Sequence, residues 1–112
     1  MAREEDVRSA EQQAAEAYQA LRALEATGGR DPDGRLMPLR PLSEELERRM
    51  EKVLEATQEW RTTLGNQNYV DQYGKTVTPA HLERAERDAQ RALDSQRQAN
   101  ARAEEANWRD LR

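Results

Sequence analysis

Gly74, Lys75 and Thr76 read GKT, which is how a phosphate-binding loop ends. Such a loop has the form Gly-x-x-x-x-Gly-Lys-Thr, because its glycines let backbone N–H groups wrap the phosphates. The first glycine would stand at position 69, and Tyr69 is there. The loop also needs a buried strand before it and a helix that opens on the Lys-Thr pair. Here a charged helical stretch comes before, and Pro79 marks a helix start only after the loop has passed. The stretch 65–79, GNQNYVDQYGKTVTP, therefore reads as a connector, and no cofactor is expected.

His81 is the only histidine. Acid–base catalysis would need a nucleophile or carboxylate held against it, and no spacing supplies one. One His and no Cys make a poor metal set. Asp31 and Asp33 beside Gly34 resemble the start of a calcium loop, but Leu42 stands where the twelfth-position glutamate belongs. No catalytic, cofactor-binding or metal-binding residue is assigned. Contact chemistry is better represented. Asn66, Gln67, Asn68, Tyr69, Gln72 and Tyr73 crowd one connector, and tyrosine adds contact area while its hydroxyl stays wet. Trp108 and Leu111 follow a long alanine tract, and a buried Trp often anchors a partner. Tyr69, Tyr73, Trp108 and Leu111 are the candidate partner-binding residues. The competing reading has the two tyrosines capping one end of a helical core.

The elements that would carry these residues are helices. Val7, Ala10, Ala14, Ala17, Leu21 and Leu24 alternate spacings of three and four, an a/d seam. The pattern predicts a helix over 3–27, stopped by Gly28-Gly29. A second helix over 43–64 takes Ser43 as N-cap and Leu46, Met50, Val53, Thr57, Trp60 and Leu64 as its seam. A third, over 79–109, starts on Thr78-Pro79. Its seam reads Leu82, Ala85, Ala89, Ala92, Gln96, Ala99, Ala103 and Ala106. The expected fold is all-α: one domain of three long amphipathic helices, 1–112, in an antiparallel bundle or coiled coil with ordered connectors at 28–42 and 65–78. The connectors share Asp-x-x-Gly, a basic residue, then an apolar one, at Asp31–Met37 and Asp71–Val77. Asp-x-x-Gly suits a tight turn, and a two-stranded element could follow it. The match is short and reads as shared turn chemistry, not as a repeat. Met37–Pro41 contains a PxxP that reads as a stiff linker.

Composition narrows the function class. Charged residues make up 36% of the chain, and 17 of its 112 residues are alanine, with no Phe. Ala, Glu, Lys, Leu and Arg together number 61, a bias that goes with long helices. No apolar run approaches a membrane span, and the acidic start lacks a signal-peptide h-region, so a cytoplasmic protein, or one incorporated in an assembled particle, is expected. Arg84, Arg87, Arg91, Arg97, Arg102 and Arg109 raise the question of nucleic acid. Between Pro79 and Arg112, however, seven basic residues meet seven acidic ones, whereas phosphate binding wants an unbalanced basic stripe. The expectation is a non-enzymatic protein-interaction or assembly protein that uses alanine-rich seams with itself or a protein partner. Small structural components, including those of phage particles, and adaptor or inhibitor proteins fit that description. The alternatives are a nucleic-acid-associated regulator, or a ligand-binding protein or enzyme centred on 65–79.

Overall fold

The computed structural model describes residues 3–110, with side chains as far as Glu105. Its elements run α1 (Glu4–Ala26), α2 (Leu39–Leu64), β1 (Tyr69–Val70), β2 (Thr76–Val77) and α3 (Pro79–Asp110). The helices hold 23, 26 and 32 residues, well over two thirds of the chain, so the fold is all-α. α1 has no side-chain N-cap, but Glu4, Glu5 and Asp6 fill its first turn, where carboxylates meet the positive end of the helix dipole. It stops at Thr27, whose hydroxyl donates to Leu24 O at 2.7 Å. α3 starts on a reciprocal cap. His81 N–H donates to Thr78 Oγ1 and Thr78 N–H donates to His81 Nδ1, a capping box with His in the place of Glu.

α2 departs from the expected start at Ser43. It begins at Leu39, with Pro38 as N-cap. Pro41 does not prevent this, because first-turn N–H groups have no intrahelical acceptor to lose. The PxxP is thus a helix start and not a linker.

Adjacent helices are antiparallel, since ascending residues of α3 meet descending residues of α2. Glu86 pairs with Arg61, Arg97 with Glu51, and Asn100 donates to Ser43 O at 3.2 Å. Arg49 of α2 likewise reaches Ala20 O of α1. α1 and α3 both pack on α2, and among the described residues they share no comparable interface with each other. On a wheel of α2, the residues that meet α3 (Ser43, Glu47, Glu51, Gln58, Arg61) are centred more than a third of a turn from Arg49, which reaches α1. A closed triangle needs about a sixth of a turn. The bundle is therefore opened into a layer, 58 × 29 × 17 Å, with a radius of gyration of 17.1 Å. A compact domain of this length would have about 13 Å.

The third seam is rotated from the alanines. Leu82, Glu86, Ala89, Leu93, Gln96 and Asn100 face inward, while Ala85, Ala92, Ala99 and Ala103 are exposed. Both sets follow a heptad and share Leu82, Ala89 and Gln96. Leu93 decides between them: it is 1% exposed, and burying a Leu gains several methylenes over an Ala. Two of the polar members are satisfied across the interface, while Gln96 donates to Asn100 Oδ1 within α3. Gln58 donates to Glu86, and Asn100 donates to Glu47 Oε1 at 3.1 Å.

The two connectors prove to be one hairpin used twice, so the short match is a structural repeat, against the expectation of no repeat. Asp31 N–H donates to Arg35 O at 2.8 Å, and Asp71 N–H donates to Lys75 O at 2.8 Å. Asp31 Oδ1 accepts from Asp33 N–H and Arg35 N–H, and Asp71 Oδ1 from Tyr73 N–H and Lys75 N–H. Gly34 and Gly74 take φ of +82° and +80°, where a Cβ is strained. A shift of 40 residues carries the Arg30–Leu36 bridge onto the Val70–Thr76 pair and Leu39 of α2 onto Pro79 of α3. The unit that repeats is hairpin plus helix.

Candidate partner-binding surface

The second hairpin is tied back onto α1. Val7, Leu64, Val77 and Leu82 form a buried cluster, with Trp60 and Tyr69 packed against it. Beside it Glu11 is buried at 7% exposure, which a carboxylate tolerates only with partners. It accepts Gln72 N–H at 3.1 Å. The Tyr69 phenol lies between Glu11 and Arg8; burial first, then the Glu11 carboxylate, pushes its pKa up, while Arg8 pulls it down. Trp60 is less well served: its buried indole N–H meets no acceptor among the described residues.

The candidate residues therefore divide. Tyr69 is half-buried and ties the hairpin to α1. Tyr73, 77% exposed at the hairpin tip beside Val70 at 60%, remains presented outward. Trp108 lies within α3, with its side chain outside the described residues, and Leu111 lies outside them altogether. In the GKT stretch, Gly74 N–H donates to Asp71 O and Lys75 N–H to Asp71 Oδ1. The amides that would wrap a phosphate are already used to close the turn.

Two further surfaces escaped the sequence reading. The first is the ridge of exposed alanines at 85, 92, 99 and 103, which the heptad had placed inside. The second is an open cleft of about 950 Å³ between α1 and α2, floored by small residues such as Ala10, Ala17 and Ala56. The signal for the ridge was present: Leu93 is the only Leu between Leu82 and Leu111, and it competes with the alanines for the core.

Comparison with family models, curated proteins and solved structures gives no match. Among the described residues no helix is long and apolar enough to cross a membrane.

Proposed function

We propose that this chain is a non-enzymatic protein-interaction or assembly module, of the kind that serves as a small structural component of a larger particle or as an adaptor or inhibitor. One observation carries the reading: α1 and α3 pack on α2 and leave alanine-lined flanks uncovered. Alanine lets a neighbouring helix approach to about 8 Å, so a long helix edged with alanine is suited to receiving another helix. It contributes little to a core of its own, since each methyl-sized group is worth only about 0.8 kcal/mol. The polar hairpin tip around Tyr73 adds an exposed aromatic contact at one end of the same layer.

Photo-crosslinking residues installed singly at Ala92, Ala56 and, as a control on another face, Arg87 test this. In extract of the source cells, Ala92 and Ala56 should give discrete protein adducts and Arg87 few. Equal, diffuse labelling from all three sites would remove the support for an interaction module.

A further inference from the structure

The two surfaces that the fold leaves open are complementary in charge. The cleft between α1 and α2 is rimmed by Asp6, Glu16, Glu55 and Glu59 against a single Lys52. The alanine ridge of α3 is edged by Arg84, Arg91 and Arg102 against a single Asp88, all exposed. Within the fold, charges at helix contacts are matched: Arg97 with Glu51, Arg61 with Glu86, Arg40 with Glu104. Among the described residues Asp6, Glu55, Glu59, Arg84 and Arg91 take part in no ion pair. The excess charge of the two surfaces is therefore opposite: Asp6, Glu55 and Glu59 outnumber Lys52 at the cleft, and Arg84 and Arg91 outnumber Asp88 along the ridge.

The two surfaces cannot meet within one chain. On α2 the cleft residues Lys52, Glu55, Ala56, Glu59 and Thr63 are centred more than a third of a turn from the centre of the residues that hold α3. The shapes also suit each other. One surface is a groove with a small-residue floor, and the other is a helix edge with small side chains. From Arg84 to Ala103 the ridge runs roughly 29 Å, and the cleft spans Asp6 to Ala20 along α1, roughly 21 Å.

We propose that chains of this protein associate head to tail: the alanine ridge of α3 from one copy lies in the α1–α2 cleft of the next. This deepens the proposed function by naming the partner as a second copy of the chain. Because the two surfaces differ, each junction leaves the first copy's cleft and the second copy's ridge free, so repeating the contact builds an open chain or a ring. Opposite charges steer the docking, and the rim pairs are exposed to salt.

Sedimentation velocity of the full chain over a concentration series, with two charge-reversed forms, tests this. The wild type should grow beyond a dimer with concentration, and raising salt from about 50 to 500 mM should weaken association at least ~tenfold. Glu55→Arg with Glu59→Arg makes cleft and ridge both basic. Arg84→Glu with Arg91→Glu makes both acidic. Either double variant alone should remain monomeric, with an unchanged circular dichroism spectrum as the check on folding. Their equimolar mixture should assemble again, since every junction then joins opposite charges. A wild type that stays monomeric throughout, or assembly unchanged by both reversals, would overturn the proposal. The broader reading fails separately: specific adducts from Ala92 or Ala56 to a different protein would leave an interaction module standing while ruling out self-assembly.

Discussion

At the residue scale the molecule turns on a buried carboxylate and a half-buried phenol. Glu11 ties the second hairpin to α1 through Gln72 N–H, and the Tyr69 phenol lies between that carboxylate and Arg8. Tyr69→Phe keeps the ring against the Val7–Leu64–Val77–Leu82 cluster and removes only the hydroxyl. Loss of the hydroxyl's interaction with the carboxylate should cost about 1 kcal/mol, read as a lowered urea midpoint at neutral pH. The phenol's pKa is raised in the folded chain, so its stabilising contribution is full below the unfolded value near pH 10 and fades as pH rises through the folded value. The wild type should therefore lose more stability than Tyr69→Phe as pH rises above about 10. Parallel losses in the two proteins would mean that the phenol is not coupled to Glu11. Nothing local foretold this pair. Glu11 sits 58 positions before Tyr69, and only the hairpin's return onto α1 joins them.

At the element scale the hairpins and α3 carry separate tests. Asp31 and Asp71 each accept two backbone N–H groups to close their turns. Asp31→Ala and Asp71→Ala should each destabilise by about 1–2 kcal/mol. The second should cost more, because its hairpin also presents Gln72 to Glu11 and Val77 to the core. Equal melting temperatures for both variants and wild type would show that the aspartates do not hold the turns. In α3, Leu93→Ala should cost about 2–5 kcal/mol, whereas Ala92→Gln, on the exposed ridge, should stay within about 0.5 kcal/mol of wild type. The reverse order would restore the alanine seam. These elements also show what the sequence made legible. The heptad of α1 and its glycine stop, and the Thr78-Pro79 start of α3, are local signals, and they appear where expected. The rotation of α3 was not legible, because its two heptads share three members and only α2 decides between them. The early start of α2 was hidden by two prolines that look like linker but are harmless in a first turn. The repeated hairpin was visible as four matching positions, too few to establish a repeat until the same hydrogen bonds appeared in both copies.

At the scale of the whole molecule, an open layer distributes stability unevenly. One buried cluster joins the start of α1, the end of α2, the second hairpin and the start of α3. Toward its other end α3 is held by polar contacts to the first turns of α2: Asn100 to Ser43 and Glu47, and Glu104 to Arg40. The Arg40–Glu104 pair is about 70% exposed on both sides, and ion pairs of that kind contribute at most about 1 kcal/mol. The chain should therefore open from the Asn100 end of α3 before it unfolds as a whole. Native-state hydrogen exchange on the dilute, monomeric protein reads this directly. Helical amides around Leu64 and at 86–93 should exchange slowest and report global unfolding. Those at 100–105 should exchange through a smaller opening whose free energy is insensitive to Leu93→Ala. If the ridge docks in a neighbour's cleft, raising the concentration should slow exchange at 100–105 first, because that segment carries Arg102 and Ala103 and has the weakest hold on its own chain. Uniform protection along α3 at low concentration would mean that the polar contacts hold as firmly as the buried leucines, and the layer would then have to be treated as one cooperative unit.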